Sequence, residues 1–106
     1  MPWQVDLQVY QWGRDFVAFL GGGERHLGAV AFAGTALVQP PHKEGPIAQE
    51  LALELRSFLP GNVAVLAGIH YEGLEKSQIS EVLAQARALV AQFRSGFLPQ
   101  KTGSPV

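Results

Sequence analysis

Residues 16–33, FVAFLGGGERHLGAVAFA, place a glycine-rich turn between two apolar runs. Glycine reaches positive φ without a steric penalty and lets another backbone or a ligand approach closely, so three consecutive glycines predict an unusual loop. Glu24, Arg25 and His26 follow these glycines directly. The turn is therefore either a solvated connection between two strands or a loop that presents polar groups from a rigid scaffold.

The apolar pattern of the whole chain predicts strands and helices in a definite order. Strict alternation or an unbroken apolar run marks the strands, which we expect at residues 3–11, 16–20, 28–33 and 63–67. Residues 36–38 either extend the third strand or form a short separate piece. Apolar residues at i, i+3, i+4 and i+7 mark the helices, which we expect at residues 46–58 and 75–95.

This order of elements predicts an α+β fold with one mixed or antiparallel sheet of about four to six strands. The second, third and fourth strands are apolar on both faces, yet two helices lying side by side cover only one face. We therefore expect the other face to be buried in a homodimer, sheet against sheet. The alternative is a monomer with one helix on each face. Residues 1–96 are predicted to form one domain, followed by a flexible C-terminal tail at residues 97–106.

Composition excludes several classes of function. The net charge is −1, and only eight lysines and arginines occur, scattered along 106 residues, which argues against nucleic-acid and anionic-membrane binding. There is no cysteine, which excludes thiolate catalysis and cysteine-based metal sites. No apolar run approaches the roughly 20 residues of a membrane helix, and residues 1–6 lack the pattern of a secretory signal. We expect a cytoplasmic protein.

The three histidines each lie in a polar loop with a glutamate within two positions. The pairs are His26 with Glu24, His42 with Glu44, and His70 with Glu72. If the loops converge, Arg25, Lys43 and the N–H groups at the start of the first helix suit a phosphate or another anion.

Two kinds of chemistry compete with anion binding at these loops. The three histidines and a carboxylate could hold a metal, and a histidine with a glutamate could act as acid and base. The serines lie on the predicted helices or the tail, which argues against a serine nucleophile. The residues favour a ligand-binding module over a structural dimer, and a structural dimer over an enzyme.

Three phrases carry a family resemblance: GGERHLGAV at 22–30, HKE at 42–44 and AGIHYE at 67–72. In this order and spacing they resemble the prenylated-flavin chaperone family, the LpdD-like small subunits associated with UbiD-type reversible aromatic-acid decarboxylases. The resemblance covers about residues 5–93. It implies a dimer with a fold like that of proteasome assembly chaperones. It also implies a protein that binds reduced prenylated flavin mononucleotide (FMN) and delivers it to an apo-decarboxylase, with no chemistry of its own.

Carried onto matching positions, the resemblance implies a set of cofactor-binding candidates. They are Gly22, Gly23, His26, Gly28, His42, Lys43, Gly68, His70 and Glu72. The residue chemistry adds two more candidates. Arg25, together with Lys43 and the N-terminus of the first helix, would hold the phosphate. Tyr71 or a histidine would stack on the flavin ring. Two alternatives stay open: a small metal-dependent or acid–base enzyme built on the histidine loops, and an assembly chaperone for another protein complex.

Overall fold

The computed structural model of the protein describes residues 3–33, 35–38 and 44–97. The predicted site residues His42 and Lys43, and the predicted tail beyond residue 97, lie outside the described residues. The elements in chain order are β1 (Asp6–Trp12), β2 (Asp15–Gly23), β3 (Ala29–Phe32), β4 (Thr35–Val38), α1 (Gly45–Phe58), β5 (Val63–His70) and α2 (Lys76–Gly96). Residues 35–38 thus form a separate strand and do not extend β3.

The five strands form one mixed sheet in the order β1-β2-β5-β3-β4. β5 pairs in parallel with β2 on one side and antiparallel with β3 on the other, and the remaining neighbours are antiparallel. A strand between two others carries side chains on both faces of the sheet and no solvent-facing edge. The unbroken apolar run at residues 63–67 agrees with this central position. The mixed sheet with its two helices confirms the predicted α+β fold.

Both helices pack on the same face of the sheet. α1 contacts β3, β4 and β5, whereas α2 contacts α1 and β1. Their buried side chains, such as Leu51, Leu55 and Val90, join Leu20 and Val65 of the sheet in one hydrophobic core. The alternative with one helix on each face is therefore wrong.

Hydrogen bonds also join α2 to α1 and to the segment before β1. Arg87 of α2 donates two hydrogen bonds to the Glu50 carboxylate of α1, with Nε 2.6 Å from Oε2. The Gln85 side chain accepts from the Val5 N–H and donates to the Trp3 carbonyl, which ties α2 to the segment before β1. Among the described residues, no helix is both long and apolar enough to cross a membrane.

Within the part of the chain that the structure describes, no helix packs on the opposite face of the sheet, which is rich in large apolar side chains. The cross-strand pairs Tyr10–Val17, Phe19–Leu66, Val30–Leu66 and Val30–Leu37 place these side chains on one face. Its most exposed members are Trp12 (78%), Leu37 (72%) and Phe32 (56%). We call this surface the open face. The predicted surplus of apolar residues on the sheet therefore exists, although a partner copy stays a prediction.

The glycines at positions 21–23 belong to β2 and not to a loop. They pair in parallel with residues 68–70, so that Gly21 lies beside Gly68 and Gly23 beside His70. The prediction that β2 ends at residue 20 and β5 at residue 67 is therefore wrong. Backbone pairing needs no side chain, and a glycine can continue a strand where neighbouring chain occupies the space of a Cβ.

Candidate functional site

Residues 24–28, which we call the crossing loop, lie against the C-terminal end of β5. The Glu24 N–H donates to the His70 carbonyl at 3.1 Å, and the Gly28 N–H donates to the Ala67 carbonyl at 2.9 Å. A Cβ on Gly68 would lie 1.8 Å from the carbonyl oxygen of His26. The loop can approach β5 this closely only because residue 68 has no side chain.

Two more of the predicted site glycines are required by contacts within the chain. Gly23 has φ +70°, and a Cβ there would lie 1.9 Å from the His70 carbonyl oxygen. A Cβ on Gly22 would lie 2.9 Å from the Gln4 carbonyl oxygen and 3.3 Å from the Tyr71 ring. These glycines bring parts of one subunit together, which accounts for them without a ligand.

A buried carboxylate, Glu44, joins the crossing loop, β5 and the start of α1. Glu44 directly precedes α1 and is only 7% exposed. Its Oε2 atom accepts a hydrogen bond from the Ile69 N–H at 2.9 Å and lies 2.9 Å from Nε2 of His26. A Cβ on Gly28 would lie 2.6 Å from Oε1. The absence of a side chain at residue 28 therefore makes room for this carboxylate.

His26 lies between two hydrogen-bond acceptors. Its Nδ1 is 3.2 Å from the Glu24 carbonyl oxygen, and its Nε2 is at the Glu44 carboxylate. A protonated imidazole can donate to both acceptors, whereas a neutral ring can donate to only one. The His70 ring meets the His26 ring edge-on with centroids 5.9 Å apart. Two of the three predicted histidines therefore converge within one subunit.

A cavity of about 520 Å³ opens beside Glu44, between the start of α1, the end of β5 and the first turns of α2. Its walls are mainly aliphatic, from Ile47, Ile69, Leu74, Ile79, Val82 and Leu83. Glu44, His70 and Tyr71 supply the polar groups. The Tyr71 hydroxyl donates to the Gln4 carbonyl, which fixes the ring at the cavity wall. This combination of apolar walls and a few polar groups is typical of small-molecule sites.

The predicted site residues divide into groups in the structure. Gly22, Gly23, His26, Gly28, Gly68, His70 and Tyr71 gather at one end of the sheet. Arg25 is exposed and borders a second cleft of about 130 Å³, which His26 and Gly68 also line, and Glu72 is exposed in the turn before α2. Glu44 is absent from the predicted site, although its position just before the proline-marked helix and within the phrase HKE was a usable signal.

The described residues give no support to a metal centre. Within residues 3–33, 35–38 and 44–97, no three histidine, aspartate or glutamate side chains are grouped so as to hold a metal ion. His26 and His70 lie close together, and the Glu44 carboxylate that bonds to His26 also accepts a hydrogen bond from the Ile69 N–H.

The fold and site define a small α+β domain with a ligand-sized cavity at the end of its central strands. Residues 1–97 match the family model of the prenylated flavin chaperone LpdD-like domain. The chain belongs to this family, which confirms the resemblance carried by its three phrases. A comparison with curated proteins gave no match.

Proposed function

We propose that the protein binds reduced prenylated FMN, without transforming it, and delivers it to a decarboxylase of the UbiD type. The family name indicates a prenylated flavin chaperone, and the match spans residues 1–97. The observation that carries the proposal is the cavity beside Glu44, because its volume of about 520 Å³ lies within the usual range of ligand sites, about 300–1,000 Å³.

The cavity walls suit the ring system of a prenylated flavin. Six aliphatic side chains can cover the flat ring and its added hydrocarbon, and Tyr71 offers an aromatic surface. The phosphate is a poorer match, since the described residues lining the cavity include no lysine or arginine. Arg25 borders the other cleft, and Lys43, the residue before Glu44, stays a predicted phosphate ligand.

Blocking the cavity tests this assignment. Ile79 lines the cavity and is 44% exposed, so Ile79→Trp should fill the space without disturbing the core. Leu53→Trp is the matched control, because Leu53 is a 51% exposed residue of α1 that does not line the cavity. In anaerobic titrations with reduced prenylated FMN we expect Ile79→Trp to weaken binding at least about tenfold and Leu53→Trp to bind as the unchanged protein does.

Further variants and a transfer assay complete the test. His26→Ala and Lys43→Ala should weaken binding, and unchanged affinity in both would remove these residues from the site. Loaded protein mixed with a UbiD-type apo-decarboxylase should transfer the flavin and activate the enzyme. Failure of the unchanged protein to bind the flavin, or one zinc or iron per chain after purification without a histidine tag, would contradict the proposal and favour the enzyme alternative.

We also propose that the open face is the interface of a homodimer. Trp12, Phe32 and Leu37 are each more than half exposed on a face that neither α1 nor α2 covers, and contiguous apolar surface of this kind marks interaction sites. A stable interface buries about 1,600 Å² in total. In sedimentation at micromolar concentration, the unchanged protein and Leu53→Glu, altered on the helical side, should be dimers, and Phe32→Glu a folded monomer. A monomeric mass for the unchanged protein would overturn this interface.

A further inference from the structure

One oxygen of the buried Glu44 carboxylate has no partner in the described part of the chain. Both hydrogen bonds to the carboxylate, from the Ile69 N–H and at His26 Nε2, involve Oε2. The structure gives Oε1 no donor among the described residues, although Glu44 is only 7% exposed. Every fully enclosed polar side-chain atom in that part of the chain does have a partner, so Oε1 is accessible from outside. Glu44 lines the cavity of about 520 Å³, so a ligand that enters this cavity meets the Glu44 side chain.

A ligand that binds next to this carboxylate oxygen should offer it a hydrogen-bond donor. An ionised carboxylate only accepts hydrogen bonds, and its hydrogen bonds are stronger than those between neutral groups. In an apolar cavity, leaving it unpaired when a ligand displaces water is costly. The same negative charge disfavours a phosphate or a ligand carboxylate in the cavity.

The geometry points to Glu44 Oε1 as the acceptor for the imide N3–H of the flavin ring, with the ring inside the cavity and the phosphate outside it. This inference rests on the proposed flavin binding and adds the orientation of the ligand. The aliphatic walls contact the faces and the hydrocarbon part of the ring. Glu44 thereby has two functions: Oε2 holds the crossing loop and β5 together, and Oε1 recognises the ligand.

Glu44→Gln separates these two functions. The Ile69 N–H needs an acceptor, so the amide oxygen should keep the place of Oε2 and its bonds to Ile69 and His26. The amide NH₂ then takes the place of Oε1 and presents a donor to the cavity. Glu81→Gln, which removes an exposed carboxylate of α2 outside the cavity, is the matched control.

The test measures anaerobic binding of reduced prenylated FMN by isothermal titration, with the amide spectrum of each variant recorded by NMR to verify folding. We expect Glu44→Gln to bind roughly 10- to 100-fold more weakly and Glu81→Gln to bind normally. An N3-methylated form of the same ligand should bind the unchanged protein more weakly by a similar factor. The dephosphorylated ligand should bind more weakly, because it lacks the group that Lys43 is proposed to hold, but it should keep its full sensitivity to Glu44→Gln.

The outcomes distinguish this inference from the proposed function. If the unchanged protein binds reduced prenylated FMN, but Glu44→Gln and the N3-methylated ligand bind equally well, the orientation is wrong and the chaperone function stands. A dephosphorylated ligand that no longer senses Glu44→Gln would likewise overturn the orientation. If the unchanged protein binds none of these ligands, both the function and the orientation fall. The N3-methylated ligand keeps the test decisive even if Glu44→Gln does not fold, because it requires only the unchanged protein.

Discussion

Replacing Gly68 by alanine should destabilise the fold strongly, although the change adds one methyl group. The new Cβ would lie 1.8 Å from the His26 carbonyl oxygen and 2.7 Å from its carbonyl carbon. These are backbone atoms, so no side-chain rotation relieves the contact and the crossing loop must move. Movement of the loop strains the bond from the Gly28 N–H to the Ala67 carbonyl and the contact between His26 and Glu44.

The magnitude follows from these contacts. Overpacking costs typically about 1–3 kcal/mol, and each weakened hydrogen bond adds about 0.5–1.5 kcal/mol. The free energy of unfolding should therefore fall by about 2–6 kcal/mol, out of the roughly 5–15 kcal/mol typical of a domain. For a chain of this length that corresponds to a melting temperature lower by at least about 10 °C.

Urea unfolding followed by tryptophan fluorescence and by circular dichroism measures this change, at one protein concentration throughout because dimerisation would shift the midpoint. Gly96→Ala is the matched control. Gly96 ends α2, and a Cβ there meets nothing within 4 Å, so its stability should be unchanged or slightly higher. If Gly68→Ala unfolds within about 0.5 kcal/mol of the unchanged protein, the close packing of the crossing loop on β5 is refuted.

Three further predictions concern other parts of the fold. Glu44→Ala should lower the free energy of unfolding by about 1–3 kcal/mol more than Glu44→Gln in urea titrations, because only alanine leaves the Ile69 N–H without an acceptor; equal losses would contradict the hydrogen-bond assignment. The hydrogen bonds from Arg87 lower the pKa of Glu50 below its ordinary 4.5, so the ionised Glu50 should contribute a small stabilisation at neutral pH that is lost as the pH falls through the lowered pKa. Glu50→Gln should therefore be slightly less stable than the unchanged protein at neutral pH and equally stable in acid. A difference in stability that persists in acid would exclude this ion pair as its source. Gly61→Ala should destabilise by about 2 kcal/mol or more in thermal unfolding, because its Cβ would lie 1.9 Å from a carbonyl oxygen of the β1–β2 turn; a melting temperature equal to that of the unchanged protein would show that this turn can move aside.

Much of the fold could be predicted because burial leaves a local signature. The unbroken apolar run at residues 63–67 predicts a strand with neighbours on both sides, and β5 is that strand. The spacing of Ile47, Leu51 and Leu55 predicts the buried stripe of α1. The three phrases predict the family, which the match over residues 1–97 confirms. The first two signals depend on residues that are close in sequence, and the third depends on the order and spacing of three short phrases.

The candidate site could be predicted only in part. Polar residues next to strand ends led to His26 and His70, which do converge. Glu44 could not be found in the same way, because its partners Ile69 and His26 are 25 and 18 residues away and come together only in the folded sheet. Arg25 and His26 both border the cleft of about 130 Å³, whereas His70 lines the cavity beside Glu44. Local pattern does not record which cleft a loop residue borders.

The amino-acid sequence by itself determined the order of most of the strands and helices, which face of each helix is buried, and the family to which the chain belongs. The tertiary structure alone decided that residues 21–23 are strand and that the glycines at 28 and 68 make room for Glu44 and the His26 backbone. It also placed the cavity beside Glu44. The physical reason is that periodicity reports the burial of each side chain, whereas a close contact depends on which distant segments the order of strands brings together.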